Sequence, residues 1–180
     1  MTVYPPPRSH ERVPVTSVQL EDALRVDDSG QFARKTILTL ISRQNGKTHA
    51  ARMRIVAGLV LFGERNIIGL AQKLSMARET WLEVVDIFQR DPWLSGLVKS
   101  IRYANGQEEL TVNGPNGAAR YSIQAASRRA RGLTADFVYV DELREVSSDA
   151  WESVTPFVTV TGGQIWATSN AGDITSEALN

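Results

Sequence analysis

The fold predicted from this sequence is decided by one stretch, Ile41-Ser42-Arg43-Gln44-Asn45-Gly46-Lys47-Thr48. An apolar run over residues 36–41 leads directly into it, and a long helical pattern follows it. A strand, a tight loop that ends in Lys-Thr and a helix form the layout of a phosphate-binding P-loop. In that layout Gly46 lets the backbone approach the phosphates, Lys47 reaches the β and γ oxygens, and Thr48 offers a hydroxyl to Mg²⁺.

The stretch departs from the usual motif at one position, because Ile41 stands where the first Gly is expected. A chance Gly-Lys-Thr at a helix start is therefore an alternative interpretation of this stretch alone. Motifs elsewhere in the chain have to decide between the two.

Length and composition set broad limits. The 180 residues predict one domain with a single good core, and 20 Lys and Arg balance 20 Asp and Glu. No global charge therefore indicates nucleic acid or membrane as a partner. The chain has no Cys, which excludes disulfides and thiolate metal sites, and its two His, at positions 10 and 49, argue against a zinc site. No signal peptide or membrane-spanning run is visible, so a soluble cytoplasmic protein is expected.

The N-terminal region divides into an arm and the start of the domain. Residues 1–14 contain Pro5-Pro6-Pro7 and predict an extended arm, with the domain occupying residues 15–180. Residues 16–26 suit a short helix. Gln19 on this helix has two interpretations: a solvated helix residue, or an amide that reads an adenine edge upstream of the P-loop.

The middle of the chain predicts a β-α-β-α order. We expect a strand over residues 32–41, a helix over 48–62, a strand over 66–71, and a helix from an N-cap at Ser75 to Arg90. This order is typical of a mostly parallel sheet with helices on both faces. Two alternating segments around Asn105-Gly106 then predict a hairpin, and residues 120–125 predict a further strand of an antiparallel extension.

The densest basic cluster lies at residues 127–132 and includes Arg128 and Arg131. Three interpretations are open. The cluster is a solvated surface run, or it binds DNA phosphates, or one Arg reaches the γ-phosphate of a neighbouring subunit as an arginine finger.

A second nucleotide motif follows this cluster. Four apolar residues, 137–140, end in Asp141-Glu142, which is the pattern called Walker B. A buried strand would carry both carboxylates to the edge of the sheet beside the P-loop. Asp141 would then hold Mg²⁺, and Glu142 would orient and activate the attacking water. A buried strand that ends in solvated acids is the alternative, but two motifs in the correct order make coincidence improbable.

The last strand is predicted over residues 164–170, and it ends in small polar residues. In P-loop motors with an extra strand between the two nucleotide motifs, the tip of that strand lies next to the γ-phosphate. Thr168, Ser169 or Asn170 would there sense whether the phosphate is present.

Taken together, the motifs resemble one family, the large terminase subunit of tailed double-stranded-DNA phages, over about residues 15–175. The resemblance is carried by four stretches: Ser42-Arg43-Gln44-Asn45-Gly46-Lys47-Thr48, Arg131-Gly132-Leu133-Thr134-Ala135-Asp136, Val140-Asp141-Glu142-Leu143-Arg144-Glu145 and Ala167-Thr168-Ser169-Asn170-Ala171-Gly172. An Arg-containing loop opening is typical of this family and accounts for the missing first Gly.

The resemblance implies a DNA-packaging motor with an N-terminal ATPase domain of the P-loop (ASCE-type) fold. It implies ATP and Mg²⁺ as cofactors. It places Arg43 and the rest of residues 42–48 in the phosphate loop. It makes Arg131 the trans-acting finger, with Arg128 as the second choice. It places Asn170 in the motif that couples hydrolysis to movement. Gln19 matches the adenine-contacting Gln only loosely.

The resemblance also implies partners and a location. These are double-stranded DNA, a portal protein, a small terminase subunit, and other copies of the chain in a ring at the procapsid portal vertex in the host cytoplasm. The family's C-terminal nuclease has no counterpart in this sequence, so no DNA cleavage is expected from the chain alone. Two alternatives stay open: a helicase or translocase of another P-loop family, and an ATP-binding assembly module with little turnover.

Overall fold

Seven strands form one sheet in the computed structural model, which describes residues 21, 24–28, 31–40, 46–126 and 133–170. The strands are β1 (Thr36–Leu40), β2 (Asn66–Ala71), β3 (Val98–Arg102), β4 (Glu109–Gly114), β5 (Gly117–Ala125), β6 (Phe137–Val140) and β7 (Gln164–Ser169). Their order across the sheet is β1-β7-β6-β2-β5-β4-β3. The first five in this order are parallel, whereas β4 and β3 are added antiparallel beyond β5.

Helices cover both faces of the sheet. They are α1 (Lys47–Ala57), which continues into a π-helical turn (Gly58–Phe62), α2 (Leu74–Arg90), α3 (Pro92–Leu97), α4 (Ser148–Glu152) and α5 (Thr155–Thr159). The first three pack in one hydrophobic core and the last two in another. Strand β6 alternates between the cores, because successive side chains of a strand point to opposite faces. Phe137 and Tyr139 enter the first core, and Val138 and Val140 enter the second.

The predicted fold class is confirmed, with differences in some elements. The strand expected over residues 32–41 is shorter, because Phe32 forms an isolated bridge with Val26 and β1 starts at Thr36. Ser75 is not an N-cap: the extended backbone of Lys73 precedes α2, so Ser75 lies inside its first turn. The short helix α3 was not predicted. Asp91 starts it, since its carboxylate accepts from the backbone N–H groups of Trp93 and Leu94 at 2.9 Å each.

The hairpin around Asn105-Gly106 is present, and Gly106 has a positive φ of 77°. The strand predicted over residues 120–125 has two roles that its alternation pattern does not distinguish. It pairs antiparallel with β4, as expected, but it also pairs parallel with β2 and so joins the hairpin to the parallel sheet. The predicted arm, Gln19 and the basic cluster at 127–132 lie outside the described residues.

A buried ion pair holds α1 to the sheet, and it was not predicted. Arg54 is fully buried on the helix that the sequence shows as mostly apolar. Its two terminal nitrogens donate to the two oxygens of Glu64 at 2.8 and 2.5 Å, and its Nε donates to Gln164 Oε1 at 3.3 Å. The guanidinium also lies 4.0 Å from the ring centre of Phe137. Gly58 makes room for this pair, since a Cβ there would lie 2.1 Å from Glu64 Oε2.

Candidate functional site

The strand order brings the two nucleotide motifs to one edge of the sheet. Strand β7 lies between β1 and β6, with Leu40 opposite Ser169 and Val140 opposite Ala167. The carboxyl ends of parallel strands meet at the same edge, which is where ligands bind in open α/β sheets. Lys47, at the start of α1, and Asp141-Glu142, directly after β6, therefore converge on the tip of β7.

Gly46 and Lys47 form the bend from strand to helix. Gly46 precedes α1 in the left-handed region at φ 79°, a conformation that glycine adopts without steric strain. Lys47 is the first residue of the helix and is 8% exposed. Its Nζ donates to Asn170 Oδ1 at 3.0 Å and to Glu142 Oε2 at 3.2 Å. The lysine of the first motif thus contacts the glutamate of the second and the asparagine at the tip of β7.

Asp141 is held by two hydroxyl groups. Its Oδ1 accepts from the Tyr139 hydroxyl at 3.1 Å and from Thr168 Oγ1 at 3.2 Å, and these two hydroxyls are 2.9 Å apart. Burial raises the pKa of Asp141, while the two hydroxyls and the charge of Lys47 oppose that increase. Burial, together with the nearby Asp141 charge, also raises the pKa of Tyr139 well above its usual value, so the phenol stays protonated and able to donate.

Glu142 adopts an unusual backbone conformation. Its φ of 49° and ψ of 59° lie in the left-handed region. Among the described residues, Glu142 is the only non-glycine residue with a positive φ. Such a conformation costs about 1–3 kcal/mol and persists where the surrounding contacts impose it. Here Oε1 accepts from the backbone N–H of Asn170 at 3.2 Å, and Oε2 accepts from its side-chain amide at 3.4 Å. The carboxylate is thereby turned toward the tip of β7.

Arg144 completes this group of residues. Its backbone N–H donates to Ser169 Oγ at 3.1 Å, which ties the chain after β6 to β7 a second time. Its side-chain Nε lies 3.0 Å from Glu142 Oε1 and 3.0 Å from Glu145 Oε1. This buried N–H is aligned with neither oxygen, so both contacts are charge attractions rather than well-formed hydrogen bonds.

Sequence reasoning assigned no role to Tyr139 or Arg144. For Tyr139 a signal existed: it lies two residues before Asp141 on a strand, and residues two apart share a face. For Arg144 there was none, because its contacts depend on the turn at Leu143–Glu145 and on the neighbouring strand.

The residues present fit a magnesium-bound triphosphate. Two oxygen atoms at the site form no hydrogen bond with the described part of the chain. They are Oδ2 of Asp141 and the hydroxyl oxygen of the half-buried Thr48. Carboxylate and hydroxyl oxygens are the ligands that Mg²⁺ prefers. No group of three or more His, Cys, Asp or Glu gathers among the described residues.

Several predicted site residues lie outside the described ranges, and no position is assigned to them. They are Gln19, Ser42, Arg43, Gln44, Asn45, Arg128 and Arg131. Within the described ranges, no helix has the length and apolar character that crossing a bilayer requires.

Comparisons with solved structures agree with this architecture. The Thermus phage P74-26 large terminase ATPase domain is 21% identical with a TM-score of 0.64, over 78% of this chain and 61% of that one. The HK97 bacteriophage large terminase is 17% identical with a TM-score of 0.71, over 92% and 34%. The large terminase of a thermophilic bacteriophage, solved in complex with ADP, is 14% identical with a TM-score of 0.67, over 86% and 38%. At these identities the likeness shows a shared fold.

The chain thus spans about three-fifths of the P74-26 domain and somewhat more than a third of each of the other two terminases. Comparison with curated proteins gives no match. A protein-family model described as "Terminase large subunit, T4likevirus-type, N-terminal" matches residues 38–170, which include both nucleotide motifs and the tip of β7. The chain therefore belongs to the family of terminase large-subunit N-terminal domains.

Proposed function

We propose that this chain hydrolyses ATP and that the hydrolysis drives viral double-stranded DNA into a procapsid. One observation carries the ATPase part of the proposal. Lys47 and Glu142 are 95 residues apart in sequence, yet their side chains lie 3.2 Å apart at the edge of the sheet where nucleotides bind. The family assignment supports the packaging role and argues against a helicase of another P-loop family.

Nucleotide binding would use the start of α1. The phosphates would lie against Gly46, Lys47 and Thr48, where the helix N-terminus and the lysine supply positive charge. The thermophilic-phage terminase has been solved with ADP and with ATP-gamma-S, and we extend nucleotide binding from that protein to this one. Residues 42–45, including Arg43, would complete the phosphate loop, and Gln19 would contact adenine.

Thr48 and Asp141 would hold Mg²⁺. When bound, the ion would neutralise charge on the phosphate oxygens. The chain's own contribution is orientation: Tyr139 and Thr168 both donate to Oδ1 of Asp141, which leaves Oδ2 for a ligand. Desolvation of the partly buried carboxylate is the largest cause of the raised pKa of Asp141, and a cation held there would offset that penalty.

Glu142 would act on the attacking water. One carboxylate oxygen accepts a proton from the water as the water oxygen bonds to the γ-phosphorus. The bond between that phosphorus and the bridging oxygen then breaks, and ADP leaves with the electron pair. Lys47, Arg43 and Arg131 from a neighbouring copy would stabilise the charge that develops. Ser169 and Asn170, which contact Arg144 and Glu142, would transmit the loss of phosphate.

The family assignment supports a proposal about the wider setting of the chain. We place the chain in a ring of identical copies at the portal vertex of a procapsid in the host cytoplasm, with the portal protein, the small terminase subunit and double-stranded DNA as partners. This chain alone would not cut DNA.

Two substitutions test the ATPase. Glu142→Gln keeps the shape of the side chain but cannot accept a proton, so phosphate release should fall by about 10²-fold or more while ATP binding persists. Lys47→Ala removes a phosphate contact and should weaken both binding and turnover. Phosphate release and the Kd of a fluorescent ATP analogue would be measured, with and without DNA.

Arg90→Gln is the matched control, because Arg90 forms an exposed ion pair with Asp86 far from the site. Its rate and its Kd should equal those of the wild type. Undiminished phosphate release by Glu142→Gln would remove Glu142 from its proposed role. Tight ATP binding by the wild type without any phosphate release would instead identify an assembly module.

A further inference from the structure

Both oxygens of the Glu142 carboxylate are occupied in this structure. Oε2 faces Lys47 Nζ at 3.2 Å and the Asn170 amide at 3.4 Å. Oε1 faces the backbone N–H of Asn170 at 3.2 Å and Arg144 Nε at 3.0 Å. Oε2 thus accepts two hydrogen bonds and has no lone pair left for a water molecule, whereas Oε1 accepts one and lies beside the guanidinium. Oε2 therefore has to lose a partner before it can accept a proton.

The partner to be exchanged is Lys47. A P-loop lysine moves to the β and γ phosphate oxygens when nucleotide binds, because a triphosphate carries more charge than one carboxylate. Oε2 of Glu142 then loses its cation and becomes available, whereas the described contacts of Oε1 come from Asn170 and Arg144. Of the two described cations that contact Glu142, Arg144 is the one that remains after that exchange.

We propose that Arg144 is a positioning residue for Glu142. Its guanidinium holds Oε1 in place while Lys47 transfers to the phosphates, so that Oε2 is the oxygen presented to the attacking water. This inference rests on the proposed ATPase function and specifies how the chain orients the base of that reaction.

Two features of the structure support the role. Arg144 is tied to β7 through its backbone N–H and Ser169 Oγ at 3.1 Å, so its side chain starts from a fixed point beside Glu142. Glu142 itself has the strained left-handed backbone described above, and such a backbone persists where surrounding contacts impose it. An attraction between opposite charges at 3.0 Å supplies that contact in a half-buried setting.

The position of Glu145 makes the contact adjustable. Arg144 Nε is also 3.0 Å from Glu145 Oε1, and its N–H points along neither line. The guanidinium is therefore shared between two carboxylates and is not locked by an aligned hydrogen bond. It can follow Glu142 through the small movement that accompanies the departure of Lys47.

The test compares Arg144→Gln, Arg144→Ala and Arg144→Lys in the full chain. Single-turnover ATP hydrolysis with protein in excess gives the rate constant, and a fluorescent ATP analogue gives the Kd. We expect Arg144→Gln to lower the rate constant by about 10- to 100-fold, which is part of the typical contribution of a general base, with the Kd changed less than about twofold. Arg144→Lys should recover part of the rate, because it restores the charge.

Two readouts separate positioning from a purely structural role. Added guanidinium ion should restore part of the rate of Arg144→Ala at concentrations that leave its Tm unchanged. In the Glu142→Gln background, Arg144→Gln should cause no further loss of rate, because the carboxylate that it positions is gone. Equal losses in both backgrounds, with no rescue by guanidinium, would overturn the proposal.

The failure of this inference is distinguishable from the failure of the proposed function. Wild-type hydrolysis with unchanged hydrolysis in all three Arg144 variants would overturn the positioning role and leave the ATPase intact. No hydrolysis by the wild type would overturn the ATPase and the positioning role together. Arg90→Gln serves again as the control, because it removes an exposed Arg outside the site.

Discussion

Asp141 carries a partly buried carboxylate whose Oδ1 accepts two hydroxyl hydrogen bonds, from Tyr139 and Thr168. Those bonds favour the charged form, but burial outweighs them, and the pKa of Asp141 is raised above its usual 3.8. The charged form that a metal ion requires is therefore disfavoured in the protein without ligand. If Asp141 holds the ion as proposed, the site keeps this residue at the expense of stability, a trade that is common at functional sites.

The pKa shift of Asp141 predicts how stability depends on pH. A carboxyl whose pKa is higher in the folded protein than in the unfolded chain binds its proton more readily when folded. Its contribution to the free energy of unfolding therefore decreases as the pH rises from 3.8 through the folded-state pKa, and stays low above it. Asp141→Asn should raise the Tm at neutral pH and flatten this decrease.

The measurement is thermal unfolding between about pH 4 and 7, without nucleotide and with a chelator. Asp86→Asn is the control, since Asp86 lies in an exposed ion pair and should change the Tm little. A lower Tm for Asp141→Asn at neutral pH would show that the loss of charge near Lys47 outweighs the relief of burial.

At the scale of elements, helix α1 is anchored at both ends. Its first residue, Lys47, lies at the nucleotide edge of the sheet, and its eighth, Arg54, is fully buried near the starts of β6 and β7. Arg54 binds Glu64 before β2 and Gln164 at the start of β7, and it packs on Phe137 of β6. The ion pair therefore fixes the helix against three strands, so that the position of Lys47 is set by the whole parallel sheet.

The Arg54–Glu64 pair predicts an asymmetric response to substitution. Arg54→Met leaves Glu64 buried without its cation and should lower the free energy of unfolding by about 3–5 kcal/mol. The double variant Arg54→Met, Glu64→Met removes both charges and should lose less. Urea unfolding would compare the two variants with Arg90→Gln, whose exposed pair should contribute less than about 1 kcal/mol. Equal destabilisation by the single and double variants would contradict this account.

At the scale of the whole molecule, one edge of the sheet carries the candidate site residues, because β1, β7 and β6 are parallel neighbours. On a single copy, the described residues place two cations in contact with Glu142, namely Lys47 and Arg144. A trans-acting arginine would therefore add a charge that this copy does not provide from its described residues. We therefore expect hydrolysis to be faster in an assembly than in a single copy.

Mixing subunits tests this expectation. An arginine finger typically accelerates phosphoryl transfer by about 10³- to 10⁵-fold, so Arg131→Ala subunits added to wild type should inhibit more than dilution alone. Phosphate release would be followed against the fraction of variant subunits, with light scattering in the presence of an ATP analogue to verify that mixed assemblies form. A strictly linear decrease would place Arg131 outside its neighbour's site, and Arg128→Ala would then be tested in the same way.

Local sequence patterns predicted the parts of the fold and site that depend on neighbouring residues. The strand-to-helix bend at Gly46, the carboxylates after β6 and the polar tip of β7 are local patterns in which the side chains adjoin the element that positions them. The alternation of β6 also placed Tyr139 on the face of Asp141, although no role was drawn from it. Local periodicity reports which face a residue occupies, and that was sufficient for these elements.

The arrangement of these elements relative to one another depends on contacts between distant parts of the chain, which the folded structure shows. It placed β7 between β1 and β6, paired β5 with both β2 and β4, buried Arg54 on an apolar helix, and brought Arg144 to Glu142. Each of these depends on which distant segment packs alongside, and local propensity does not encode that choice. The physical reason is that pairing and burial are settled by the whole core at once, so a charged residue finds its partner only after the sheet has been assembled.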